Sequence, residues 1–168
     1  MLFALACQIA LLLYHQLTTL VDLHPFNGVR FYSGRERLAE AGVNLVLMGL
    51  APIGYAFQFH GLMLYGAIYY VVLLVVEIII WWVPYFTLPK GKWRRAYNAA
   101  LSLATSNFEP GDALNHWIAV HERIHSSTLF VLPRRNGHIV PNLEHVILHC
   151  WTLVTALATL NAYHVSNV

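Results

Sequence analysis

The chain has 168 residues, of which 58% are hydrophobic and 11% charged, with a net charge of +2. Soluble domains carry about a quarter charged residues, so this balance excludes an ordinary soluble protein. Nor does it call for nucleic acid, because the few basic residues are accounted for by membrane topology and anionic lipid.

Four apolar stretches of about 20 residues, enough to cross a bilayer, predict an all-α membrane protein of one domain over 1–168. The expected spans run about 2–21, 41–59, 62–83 and 142–163. The first lacks the basic start and small-residue cleavage pattern of a secretory signal, so it is expected to be retained. Asp22 to Gly28 ends it with turn-forming residues. Gly34 to Glu40 is expected to form an amphipathic lead-in to span two, which Pro52 is placed to kink. Span three is expected to close at the aromatic anchor Trp81-Trp82-Val83-Pro84-Tyr85.

A helical cytosolic segment, about 86–141, separates spans three and four. Lys92 to Ser106 has helical spacing, with Trp93, Tyr97, Ala100, Leu101 and Ala104 on one stripe. Asn107 to Gly111 breaks it. Asp112 is placed to cap a second helix reaching about Leu132, with Leu114, Ile118, His121, His125 and Leu129 on one face. Both pieces suit amphipathic helices lying in the interface plane.

All ten Lys and Arg residues fall in the first and third inter-span segments. Basic loops are retained in the cytoplasm, so a prokaryotic inner-membrane location is expected, with both termini outside and both large loops cytosolic. Cys7 and Cys150 are expected in opposite leaflets, too far apart for a disulfide.

In-membrane polar groups gather at one level. His15 stands seven residues before Asp22, Glu77 seven before Pro84, and His149 seven after Asn142. At 1.5 Å per residue each lies about 10 Å below the inner surface, and Asn44 lies near the same level in span two. Ionisable groups inside a span are costly and face a partner. Glu77, set among Val and Ile, is either one member of a polar contact gluing helices or part of a ligand or catalytic site.

Two histidine pairs have i,i+4 spacing, His121/His125 and His145/His149, which places both rings of each pair on one helix face. The first also reads His121-Glu122-Arg123-Ile124-His125, the H-E-x-x-H pattern in which two histidines hold zinc and the glutamate activates water. The candidate metal set is therefore His121, His125, His145, His149 and Glu77, with Glu122 or Glu77 as catalytic base and zinc or iron as the metal. His15 and His149, at equal depth on different spans, could instead ligate haem or chlorin. For lone residues such as His24, His60, His138 and His164 an interfacial anchor is the plainer expectation. Arg134 and Arg135, in the turn beside the pairs, are topogenic or hold the anionic head of an amphiphilic substrate.

His116, His121 and His125, followed by His145 and His149, resemble in spacing and topology the histidine boxes of membrane di-iron desaturases and hydroxylases, though the His-His doublet of those boxes is absent. Arg35 to Asn44, Trp81 to Phe86, and Leu132-Pro133 through Val140-Pro141-Asn142 to His145 and His149 resemble a family of small uncharacterised prokaryotic integral membrane proteins. That resemblance implies four spans and no activity. Two expectations stay open. One is a metal-dependent hydrolase or di-iron-type oxidoreductase acting on a lipid-soluble or amphiphilic molecule. The other is a non-catalytic subunit or scaffold, as a homo-oligomer or within a larger membrane complex.

Overall fold

The computed structural model describes residues 1–105 and 111–166. The sequence breaker at Asn107–Pro110 and the expected helix end at Ser106 lie outside them. Among the described residues the chain is all-helical. Four helices are long and apolar enough to cross a membrane: α1 (Leu2–Leu20), α2 (Gly34–Phe57), α3 (His60–Phe86) and α6 (Leu143–Val165). Between α3 and α6 lie α4 (Gly91–Thr105) and α5 (Ala113–His125).

Each long helix packs against two others, α1 on α2 and α6, and α3 on α2 and α6. The core is a stack of Leu11, Met48, Ala51, Tyr70 and Ala156, continued by Ala4, Tyr55, Met63 and Ala162. Small and polar groups line the contacts, as suits helices that must approach closely without a solvent-driven force. Thr152, Thr155 and Thr159 on α6 are fully buried. The Gln8 amide donates to Thr159 Oγ1 at 3.0 Å, and the Tyr55 hydroxyl donates to the Thr159 carbonyl at 2.8 Å. Outward-facing positions such as Leu13, Val46, Ile68 and Leu157 are exposed. An apolar belt of that kind is what hydrocarbon would cover.

Local chemistry sets the helix ends. Ser33 and Glu36 form a reciprocal capping box at the start of α2, so the expected lead-in Gly34–Glu40 is the opening of the span itself. Asn27, fully buried, donates to the carbonyls of Thr18 and Val21 and satisfies the end of α1. Where α2 turns into α3, a Cβ on Gly54 would lie 2.5 Å from Leu62 Cβ and 2.7 Å from its carbonyl carbon. Only glycine allows that approach.

Span three runs past its expected end at Val83. Residues 78–82 form a wider, π-type stretch, and Pro84 follows without an N–H to give to the preceding turn. The carbonyls of Ile79 and Ile80 are taken up instead by neighbouring side chains. The Tyr97 hydroxyl donates to Ile79 at 2.8 Å and the Trp117 indole to Ile80 at 3.3 Å. Backbone groups freed at membrane depth need such partners, and these two tie α4 and α5 to the end of α3. The buried cluster of Tyr97, Leu101, Ala113 and Leu114 completes the attachment.

Two details of the intervening segment differ from expectation. Helix α5 ends at His125 rather than near Leu132, because Thr128 turns the chain through its backbone N–H and hydroxyl, both donated to the His125 carbonyl. Leu129 is therefore off the helix and exposed, its N–H bonded to the Pro25 carbonyl. Trp93, expected on the buried stripe of α4, is 58% exposed, while Tyr97 and Leu101 are buried.

Candidate functional site

The π-type stretch of α3 places Trp81 inward, and four imidazoles surround it. His121 and His125 come from α5, His145 and His149 from α6. Ring centroids lie 3.8 Å from Trp81 for His145, 5.3 Å for His121, 5.8 Å for His125 and 6.0 Å for His149. Successive histidines are 4.9, 5.1 and 5.8 Å apart in the order His121, His125, His145, His149. The 5.1 Å contact joins the two sequence pairs into one cluster. His121, His125 and His149 are buried and His145 is half-buried.

Asn142 organises the middle of the cluster. As N-cap of α6 its Oδ1 accepts the His145 backbone N–H at 3.1 Å and also contacts His145 Nδ1 at 2.6 Å. Its amide nitrogen faces Thr128 Oγ1 at 3.2 Å and His125 Nδ1 at 3.3 Å. A carboxamide oxygen only accepts and its nitrogen only donates. His145 therefore carries its proton on Nδ1 and presents a lone pair at Nε2, whereas His125 accepts at Nδ1 and presents an Nε2–H.

The flanking rings are fixed the same way. The Trp82 indole donates to His149 Nδ1 at 3.0 Å, which leaves His149 with an Nε2–H. His121 makes a backbone hydrogen bond with Val140, and its Nε2 is buried without a partner. Nδ1 is then the nitrogen that faces Val140, and Nε2 holds a lone pair. Burial drives the His121 pKa from 6.5 to about 4, against the pull of Val140. Burial, and then the neighbouring His121, drive that of His125 to about 3. Both rings are neutral at physiological pH.

These assignments divide the expected ligand set. Metal ligation needs a lone pair on the coordinating nitrogen, which His121 and His145 offer at Nε2 and His125 and His149 do not. As the side chains stand, no group of three or more His, Cys, Asp or Glu among the described residues is arranged to hold a metal ion. Glu122 is exposed and lines a different cavity, on the side of Arg134 and Arg135.

The polar groups expected at one depth do meet. His15, Asn44, Glu77 and His149 line a single cavity of about 440 Å3, which Glu40 and Trp81 also border. Glu77 is 7% exposed and His149 4%. Glu77 Oε1 accepts from the Thr152 hydroxyl at 2.9 Å; Oε2 is buried and unpartnered, as is His149 Nε2. His15 Nε2 stands 4.0 Å from Glu40 Oε1, with its Nδ1 at 3.3 Å from Thr19 Oγ1. Asn44 donates back to the Glu40 carbonyl on its own helix.

The sequence reading overlooked Trp81, Asn142, Trp82 and Thr152 as members of the site. One local signal existed for Asn142, which stands three residues before His145 at the start of a span, the position of an N-cap. Trp81 stands four residues after Glu77 and so shares its helix face. The partnerships of Trp82 with His149 and of Thr152 with Glu77 join separate helices and have no local signature.

The chain matches no protein-family model, no curated protein and no solved structure.

Proposed function

We propose that this membrane-spanning bundle binds a lipid-soluble small molecule in the 440 Å3 cavity and holds its polar end with Glu77 and His149. The observation that supports this most is the pair of unpartnered, deeply buried atoms, Glu77 Oε2 and the donor His149 Nε2, in two residues that line one cavity. An orphan buried polar atom costs about 1–3 kcal/mol, and a guest bearing both a hydroxyl and a carbonyl would satisfy the two together. Apolar neighbours such as Met48, Leu73 and Leu148 suit the rest of an amphiphilic molecule.

The test is extraction of the detergent-purified protein with organic solvent, followed by mass spectrometry. Near-stoichiometric recovery of a hydroxyl- or carbonyl-bearing molecule from the parent, lost in Glu77→Leu/His149→Leu, supports the role. Identical extracts from both proteins would remove it.

A metal-bearing site is the second reading, favoured by the lone pairs of His121 and His145 beside a 5.1 Å contact between the two pairs. Zinc or iron there would call for a further ligand, from His125 after a tautomer change or from Glu77, and would make the bundle a candidate hydrolase or oxidoreductase. Metal analysis of the parent beside His145→Ala/His149→Ala separates the outcomes. Stoichiometric metal lost in the variant supports a metal site, and none in either leaves a ligand-binding or scaffold role. A Soret or chlorin band in the purified protein would point to His15 and His149 as pigment ligands. On the positive-inside rule the basic segments support a site at the cytosolic leaflet of an inner membrane, with α4 and α5 at the interface.

A further inference from the structure

A second cavity, of about 310 Å3, is bordered by His121, Glu122, Phe130, Arg134, Arg135 and His138. Its two guanidiniums are positioned without carboxylate partners among the described residues, where the ion pairs are Arg30–Asp22 and His15–Glu40. Arg134 donates to the Ser126 carbonyl at 2.9 Å and lies 4.5 Å over the Phe130 ring. Arg135 donates to the Tyr85 carbonyl at 2.9 Å and lies 5.8 Å over the Tyr85 ring. Backbone carbonyls and ring faces hold a guanidinium in place without neutralising it, so both retain full charge and spare N–H groups.

One further atom sets what kind of anion would fit. His121 Nε2 is buried, unpartnered and a lone-pair acceptor, in a residue only 5% exposed. His138 also borders the space and is anchored through Nδ1, which donates to the carbonyls of Pro84 and Tyr85 at 3.0 Å. Two cationic forks beside a ring acceptor match an anion that carries both bare oxygens and an O–H. The hydrogen-phosphate form of a phosphomonoester is such an anion; a phosphodiester has no O–H to give. Glu122 borders the same space and opposes any anion, which further favours one that presents a proton. Depth fits too, since Arg135 and His138 are bonded to the last turn of α3, beside the aromatic groups that mark a membrane interface.

We infer that this cavity binds a hydrogen-phosphate group at headgroup level, through Arg134 and Arg135 to its bare oxygens and His121 to its O–H. The ligand is either a phosphomonoester lipid or free phosphate from solution.

Native mass spectrometry of the full chain in phosphatidylcholine nanodiscs tests this. Discs doped with phosphatidic acid are compared with discs doped with phosphatidylethanol, a phosphodiester without a hydroxyl, and inorganic phosphate is titrated against each. Phosphatidic acid is expected to be retained roughly tenfold more than phosphatidylethanol, reflecting charge-assisted bonds to a fork. Displacement by inorganic phosphate at similar concentration assigns the site to free phosphate, and its failure assigns it to the lipid; both keep the hydrogen-phosphate group. Arg134→Gln/Arg135→Gln should abolish retention. Arg134→Lys, which keeps the charge and spares the Arg135 contacts to α3, should weaken it with an unchanged melting temperature. His121→Asn should erase the preference for phosphatidic acid over phosphatidylethanol. Equal retention of the two lipids by the parent, or undiminished retention by Arg134→Lys, would overturn the inference.

Discussion

The indole N–H of Trp82 donates to Nδ1 of His149 at 3.0 Å, and this decides which nitrogen of His149 carries the proton. The histidine is thereby a hydrogen-bond donor at Nε2, in a residue that shares its cavity with Glu77. Trp82→Phe removes the donor and should cost about 1 kcal/mol, the net worth of one such bond. The sharper readout is the imidazole 15N spectrum of His149, expected to show a protonated Nε2 in the parent and a tautomer mixture in the variant. A mixture already present in the parent would contradict the assignment.

Replacing Glu77 separates structure from ligand binding. Thr152, its only hydrogen-bond donor among the described residues, also bonds the Leu148 carbonyl at 3.0 Å and keeps that partner without the carboxyl. Glu77→Leu should therefore melt within about 1 kcal/mol of the parent, as buried polar contacts often tolerate apolar packing. Co-purifying ligand should be lost. A variant that fails to fold would mark Glu77 as structural glue.

Asn142 serves four partners at once. Asn142→Ala should lower stability by about 2 kcal/mol, combining a lost N-cap with unpaired buried groups. Asn142→Asp keeps the acceptor for His145 and loses the donors to His125 and Thr128, so roughly half that loss is expected. Thermal unfolding in detergent ranks the two. Equal losses would show that the amide donors to His125 and Thr128 alone matter.

Acid should loosen the cluster. His121 and His125 have folded pKa values of about 4 and about 3, below their ordinary 6.5. Below 6.5 the unfolded chain takes up protons that the fold refuses. The stability contributed by neutral rings is complete above 6.5 and falls as pH drops toward the folded values. The slope is about 1.4 kcal/mol per pH unit for each histidine. A melting temperature that stays flat between pH 6.5 and 4 would mean that water reaches both rings.

At the α2–α3 turn, Gly54→Ala should cost about 1–3 kcal/mol, because its Cβ would meet backbone atoms of Leu62 and Met63 that cannot step aside. Gly49→Ala, with nothing within 4 Å of the added carbon, should be neutral or slightly stabilising through helix propensity. The pair is compared by melting in the same detergent.

Span number and the gathering of His15, Asn44, Glu77 and His149 around one cavity were legible because hydrocarbon thickness and the cost of a buried charge act on sequence directly. The i,i+4 pairing of the histidines was legible for the same kind of reason, since helix periodicity alone sets it. The end of α3 was not. Pro84 reads as a terminator, and its accommodation depends on Tyr97 and Trp117 accepting the role of lost N–H groups from other helices. The end of α5 was missed because Thr128 and Asn142, fourteen residues apart, turn the chain by meeting across the turn. Tautomers were beyond reach as well. They follow from which neighbour donates and which accepts, and Trp82, Val140 and Asn142 become neighbours only in the folded chain.

The bond between Thr152 and Glu77 spans 75 positions of the chain, and that separation has a consequence for biogenesis. Synthesis delivers α3 well before α6, so a nascent chain must lodge the carboxyl in the bilayer while the hydroxyl that will meet it is still unmade. During that interval Glu77 depends on lipid defects or the insertion machinery, and a stalled chain ending before Thr152 would display a lone acid to membrane proteases.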